Sequence, residues 1–297
     1  MNSGLLFTTM IFVCSSLFAQ QHPYSGEIRH LANFPSKFVD ARNVDVWLPQ
    51  NYSSQRKYAV LYMHDGQMLF DSAATWNHQE WGVDETLGKL MQEKKIRDCI
   101  VVGIWNNGQK RHAEYFPQKA IGSIPEKQKK ELMQWLPNGP LADNYLKFLV
   151  TELKPFIDSS FSTLTDQKNT FIAGSSMGGL ISMYAFCEYP TVFYGAACLS
   201  THWPGTFKAE DNPIPFAILA YMSDHLPSRD DHKIYFDHGT ATLDSLYAPF
   251  QQKADELMKA KGYTSKNWMT RKFVGEDHSE KAWRKRFSIP AIFLLGR

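Results

Sequence analysis

Ser176 has glycine two residues away on each side, in the run Gly174-Ser175-Ser176-Met177-Gly178-Gly179, which separates an apolar, β-like stretch at residues 170–173 from a helix-compatible one at 180–186. A G-x-S-x-G pattern between strand and helix makes a sharp turn with the serine at its apex, because larger side chains at the glycine positions would strike the adjoining elements. The five-residue pattern is a weak signal by itself, and its place between strand and helix gives it weight. Ser175 has Ala173 and Met177 at the same offsets, so it reads as a packing or hydrogen-bonding neighbour. A serine hydroxyl becomes a useful nucleophile near neutral pH only when a base takes its proton. His278 is placed to act as that base. In Phe273-Val274-Gly275-Glu276-Asp277-His278-Ser279 it follows the last β-like run and precedes a helical stretch at 280–287. His64, His202 and His238 are expected to be ordinary core or surface histidines.

A carboxylate must fix the imidazole tautomer and stabilise the imidazolium. Two candidates compete in Lys233-Ile234-Tyr235-Phe236-Asp237-His238-Gly239-Thr240-Ala241-Thr242-Leu243-Asp244. Asp237 lies within the β-like run, whereas Asp244 lies in the loop beyond it and is free to turn toward His278, so Asp244 is preferred and Asp237 is the alternative. Asp244 also stands at a helix start, where it would serve as an N-cap. The order Ser176, Asp244, His278 is that of α/β-hydrolases and differs from the orders of the chymotrypsin and subtilisin folds. A developing oxyanion needs backbone amides held ready for it. Met177 is expected to supply one, and Gln67, in His64-Asp65-Gly66-Gln67 with its glycine-permitted turn, the other. Two further segments should rim the site, residues 105–116 and 200–204, and they offer Trp105, Tyr115 and Trp203 as stacking surfaces and Arg111 as a grip for an anionic group. The competing readings are local packing for the aromatics and a salt bridge to Glu114 for Arg111.

These residues need a scaffold. Residues 43–48 alternate, whereas 58–63, 100–105 and 170–173 are continuously apolar, as strands of a sheet buried on both faces are. Further strands are expected at 195–199, 233–236 and 268–274, and helices at 81–93, 141–157 and 245–261, where apolar positions recur every three or four residues. The expected fold is α/β, a mostly parallel central sheet with helices on both faces and an antiparallel beginning at residues 26–49. Such sheets bind ligands beyond the carboxyl ends of their strands.

The chain has 297 residues, 43% of them hydrophobic, which suffices for a large core, and no linker or repeat divides residues 20–297. With 32 basic against 30 acidic residues, net charge +2, no field of one sign favours nucleic acid or an anionic membrane surface. Residues 1–20 carry no charged side chain and an apolar run at 5–13, the pattern of an export signal cut after Ala19. That run is shorter than the roughly 20 residues needed to span a bilayer. A buried N-terminal segment is the alternative. Cys14 would leave with the signal, and Cys99, Cys187 and Cys198 sit in apolar surroundings that suit small core residues rather than a catalytic thiol.

The chain resembles the putative-esterase family of α/β-hydrolases, which includes esterase D, enterochelin esterases, feruloyl and acetyl-xylan esterase domains and mycolyltransferases. The resemblance rests on Tyr62-Met63-His64-Asp65-Gly66-Gln67, on Ile172-Ala173-Gly174-Ser175-Ser176-Met177-Gly178-Gly179, and on Gly275-Glu276-Asp277-His278 followed by Ala282-Trp283, with Val102-Gly103-Ile104-Trp105-Asn106 and residues 145–158 also similar. It implies Ser176 as nucleophile, His278 as base, and the Gln67 and Met177 amides as oxyanion hole. Relatives often place the acid closer behind a Gly-Thr pair than Asp244 stands behind Gly239-Thr240, which keeps Asp237 in play. The expected activity is that of an exported serine esterase working through an acyl-enzyme on acetyl, feruloyl or siderophore-type esters. Acyl transfer by the same residues and a noncatalytic binding module are the alternatives. No cofactor is implied: the chain has no HExxH, no Walker loop and no dinucleotide-type glycine fingerprint.

Overall fold

A computed structural model of the chain describes residues 21–136, 139–207 and 211–297. The expected export signal at residues 1–19 lies outside them. The apolar runs form the strands β3 (Ala59–His64), β4 (Cys99–Ile104), β5 (Thr170–Ser175) and β6 (Gly195–Leu199), each buried along its whole length. They belong to an eight-stranded sheet in the order β1-β2-β4-β3-β5-β6-β7-β8, completed by β1 (Glu27–Phe34), β2 (Arg42–Leu48), β7 (Lys233–His238) and β8 (Trp268–Lys272). β2 runs antiparallel to β1 and β4, and the remaining pairs are parallel. This is the α/β fold anticipated, with its antiparallel beginning.

Alternation along the strands divides the core in two. Val60, Tyr62, Ile100, Val102 and Ile172 face one layer, Leu61, Met63, Cys99, Val101 and Phe171 the other. Over the first layer pack α2 (Arg111–Tyr115), α3 (Glu126–Met133), α4 (Ala142–Phe148), α5 (Lys154–Ser160), α6 (Met177–Glu188), α7 (Ile214–His225) and α8 (Ala248–Ala260). Over the second pack α1 (Val83–Gln92), α9 (Glu280–Arg286) and α10 (Ser288–Leu295). The helix expected at 141–157 is present, but a π-helical turn, Leu149–Leu153, separates α4 from α5. The expected strand at 268–274 ends at Lys272, and Val274 is exposed. Cys99, Cys187 and Cys198 are buried free thiols, and burial pushes the Cys99 thiol up to about 12. No described helix is long and apolar enough to cross a membrane.

The loops that leave β3 to β7 at their carboxyl ends emerge side by side. At β5 the chain turns into α6 through the single residue Ser176, and a Cβ on Gly174 would lie 2.7 Å from the Gly178 carbonyl oxygen. Gly174→Ala should therefore cost about 1–3 kcal/mol of stability through overpacking. Thermal unfolding should show a midpoint lowered by a few degrees; an unchanged midpoint would mean the turn relaxes freely.

Candidate active site

Ser176 occupies the junction of β5 and α6 at φ 58°, ψ −123°, a left-handed backbone that an L-residue adopts at a cost of about 1–3 kcal/mol. The surroundings impose it. Ser176 N donates to the Leu199 carbonyl (2.9 Å), and the Ser176 carbonyl accepts from His202 N and Leu180 N (both 3.2 Å), so the end of β6 grips the turn from both sides. The Tyr247 hydroxyl, near the Ser176 side chain, meets His202 Nδ1 at 2.7 Å. The Tyr247 ring stands edge-on to the His278 imidazole, centroids 5.8 Å apart.

His278 Nδ1 lies 2.5 Å from Asp244 Oδ1. The His278 amide donates to Thr242 Oγ1 (2.9 Å), and Trp283 packs edge-on against the ring, centroids 5.1 Å apart. Asp244 is fully buried, and its second oxygen accepts from the Ser200 hydroxyl (2.6 Å) and the Gly239 amide (2.5 Å). Burial alone would raise its carboxyl, but hydrogen bonds from His278 and Ser200 outweigh that and hold it below the ordinary value. Of the two carboxylates weighed from sequence, Asp244 is the one beside the imidazole. Asp237, inside β7, instead receives Arg286 Nη2 and Nε (3.0 and 3.2 Å), Ser200 N (3.1 Å) and the Tyr235 hydroxyl (2.9 Å). Burial still pushes the Asp237 carboxyl up, against the pull of Arg286. Ser200 joins the two carboxylates: its hydroxyl oxygen accepts from Trp283 Nε1 (2.9 Å) and Arg286 Nη2 (2.7 Å) while donating to Asp244.

The loop after β3 packs against the start of α6, since a Cβ on Gly178 would lie 3.4 Å from both His64 Cβ and Asp65 Oδ2. Met177 opens α6, where helix geometry leaves an amide without an intrahelical acceptor and the dipole favours negative charge. Gln67 sits in the single turn Gly66–Met68, entered through a left-handed Asp65 at φ 56°. Asp65 is clamped by Arg111 Nε and Nη2 (both 2.7 Å) and by Asn106 Nδ2 (2.7 Å). Burial would raise its carboxyl, but Arg111 prevails and lowers it. Among the described residues no group of three His, Cys, Asp or Glu side chains is placed to hold a metal ion.

Several rim residues lie elsewhere than expected. Arg111 pairs with Asp65, and Glu114 is instead bonded by Arg42 (2.8 and 2.7 Å). Tyr115 and Trp203 are fully buried. Tyr115 packs beneath Arg111 and accepts the Asp65 amide (3.4 Å), and Trp203 donates to Gln251 Oε1 (3.1 Å), so neither offers a ring face to a ligand. Trp105 is half-buried and donates to Asp45 Oδ2 (2.6 Å). Arg286 and Tyr247 are absent from the residues that sequence reasoning singles out, and Ser200 enters only as the first residue of the rim segment 200–204, with no role of its own. Tyr247, three residues beyond Asp244, offers only the weak signal of a phenol beside a candidate acid.

A family model described as "Putative esterase" matches residues 36–293. An endo-1,4-beta-xylanase/feruloyl esterase of Xylanibacter ruminicola is 27% identical over 207 residues, 65% of this chain and 24% of that one. The chain spans 58% and 60% of the length of two uncharacterized Bacillus subtilis proteins, YbbA and YjcH, both 24% identical to it over the aligned residues. Among solved structures, a ferulic acid esterase superposes at TM-score 0.63 with 16% identity, covering 92% of this chain and 99% of the other. The enterobactin esterase of Shigella flexneri superposes at 0.65 with 17% identity, covering 92% and 60%. At these identities the structural likeness speaks for the fold.

Asp244→Asn should lower turnover about 10³- to 10⁴-fold, because the amide would favour the wrong imidazole tautomer, while folding stays intact. Asp237→Asn should act on stability, leaving Arg286 buried beside a neutral partner, a change of about 3–5 kcal/mol if the pair is broken. Kinetics and unfolding of the two variants side by side check the assignment; the reverse ranking would transfer it to Asp237. The histidines give a second expectation. Burial pushes His64 down to about 3, and burial together with His278 and His112 does the same to His202, from an ordinary 6.5. Between those values the unfolded chain binds protons that the folded one does not, so stability falls as pH drops from about 6.5 toward 3. Each histidine should contribute about one proton to the uptake on unfolding, and His202→Gln should flatten the pH slope accordingly.

Proposed function

Because the chain belongs to the putative esterase family, we propose that it is a serine carboxylic-ester hydrolase with Ser176, His278 and Asp244 as its catalytic triad. The observation that carries this reading is the His278 Nδ1 to Asp244 Oδ1 contact of 2.5 Å, in a structure that also holds Ser176 at positive φ in the turn between β5 and α6. Asp244 keeps the proton of His278 on Nδ1, which leaves Nε2 free to accept the Ser176 proton as Oγ attacks the ester carbonyl. The Gln67 and Met177 amides receive the negative charge that develops on the carbonyl oxygen. His278 then gives its proton to the departing alcohol, the acyl group stays on Ser176, and a water activated by the same imidazole releases the acid. The buried carboxylate stabilises the imidazolium that exists in each of the two steps.

The substrates we propose are small or carbohydrate-linked esters of acetyl, feruloyl or siderophore type. Support comes from the ferulic acid and enterobactin esterases among the structural neighbours and the xylanase/feruloyl esterase among the relatives. Export is proposed with it, on the leader-like residues 1–19. The testing experiment is hydrolysis of a short-chain p-nitrophenyl ester by the protein and by Ser176→Ala. The variant should lose at least about 10³-fold in kcat; equal rates would remove Ser176 as the nucleophile.

A further inference from the structure

The segment ahead of β1 reaches the site through one side chain. Gln21 is 3% exposed and lies upstream of the stretch matched by the family model, which begins at residue 36. Its Nε2 donates to Asp45 Oδ2 (2.6 Å) and to the Gly66 carbonyl (3.1 Å), and its Oε1 accepts the Phe70 amide (3.2 Å). The partners dictate the orientation of the carboxamide. A carboxylate and a carbonyl only accept and a backbone amide only donates, so the flipped group would set like against like at three contacts. Asp45 is itself anchored, receiving Trp105 Nε1 (2.6 Å) and facing His30 Nδ1 (2.6 Å). Burying so long a side chain in one rotamer costs conformational entropy, which these hydrogen bonds must offset.

The Gly66 carbonyl shares a peptide plane with the Gln67 amide. In a trans peptide the C=O and N–H point in opposite directions, so holding the oxygen from one side aims the hydrogen to the other. Glycine lacks the Cβ that would otherwise restrict rotation of this plane. Gly66 has to be glycine, because a Cβ there would lie 2.4 Å from the Gly103 carbonyl carbon. The Arg111 and Asn106 clamp acts on the Asp65 side chain, and Asn106 N also reaches Gln67 Oε1 (3.2 Å). Among the described residues, the side-chain hydrogen bond to the Gly66 carbonyl comes from Gln21.

We propose that Gln21 is a positioning residue for ester hydrolysis: by holding the Gly66 carbonyl it stops the Gly66-Gln67 peptide from flipping and keeps the Gln67 N–H presented to the oxyanion. This rests on the reading of that amide as an oxyanion donor. Loss of an oxyanion donor costs about 10²- to 10³-fold in kcat, and loosening one that still samples its productive orientation costs less.

Three variants test it on a p-nitrophenyl ester. Gln21→Met keeps length and removes the hydrogen bonds; kcat should fall about tenfold with KM within about twofold. Gln21→Glu sets an acceptor against Asp45 and the Gly66 carbonyl and should fall further. Tyr24→Ala, in the same segment but 87% exposed, should match the parent. An alkyl boronic acid, which mimics the tetrahedral intermediate, should bind Gln21→Met about tenfold more weakly, while the carboxylic acid product binds as before. Unaltered kcat and boronate affinity in Gln21→Met would overturn the proposal. So would a proportional loss of activity and thermal stability with product binding also weakened, since that describes a structural role. If the parent protein neither turns over nor binds boronate, the esterase reading fails. Hydrogen exchange then decides the clamp alone: residues 65–70 should exchange faster in Gln21→Met, and unchanged protection would overturn it.

Discussion

A carboxylate with no exposed surface has to be ionised by its neighbours or it will protonate, and the carboxyl-terminal third of the chain is arranged around that requirement at Asp244. Two donors, the Ser200 hydroxyl and the Gly239 amide, face Oδ2, and His278 faces Oδ1. Nearby Arg286 lies 3.8 Å from the same Oδ2 but makes its short contacts with Asp237 and Ser200. The distinction matters chemically. A guanidinium bonded directly to Asp244 would neutralise its charge, whereas hydroxyl and amide dipoles keep the carboxylate ionised and leave its charge available. Asp237 therefore acts as the counter-ion that keeps Arg286 occupied. Ser200, at φ 41°, accepts from Arg286 and donates to Asp244.

The opposite wall of the site follows the same logic with another pair. Asp65 adopts a left-handed backbone so that the chain can turn sharply out of β3, and a partly buried bidentate contact with Arg111 makes that conformation tenable. Tyr115 supports the arrangement from below, its ring under the guanidinium at 5.1 Å. A charge pair of this kind gives directional bonds in a low-dielectric setting, which specify one loop conformation more sharply than apolar packing does. The cost of desolvating it is set against geometry rather than against net stability.

Legibility in the sequence follows the range of the interactions. Ser176 and His278 are visible because glycine spacing and position after a strand are local properties. Asp244 and Asp237 can be ranked but not separated, because each is defined by a partner more than 30 residues away, His278 or Arg286. Arg111 escapes correct pairing for the same reason: Glu114 is near in sequence, but Asp65 is near in space. Tyr115 and Trp203 belong on the rim by their position after strand ends, yet short helical and turn segments fold both rings back into the core. α7 and α10 are hard to see because apolar residues occupy most of their faces and leave no three-to-four periodicity to detect. Gln21 has no signal at all, being one polar residue in a polar stretch.

The antiparallel edge contributes to the site through register. Asp45 of β2 pairs with Gly103 of β4, and Gly103 pairs with Met63 of β3, so the three stand in a row across the sheet. The absence of a side chain at Gly103 lets Gly66 cross directly over the end of β4. Asp45 lies one strand further out, where its carboxylate gathers Gln21, Trp105 and His30 around the same crossing. Side chains alternate between faces along a strand, so a slip of one residue in β2 would replace this carboxylate by Val44 or Val46, which belong to the opposite core layer. The hydrophobic division of the sheet therefore fixes the position of a polar anchor: burying Val44 and Val46 on one face obliges Asp45 to the other, within reach of the loop that carries Gln67.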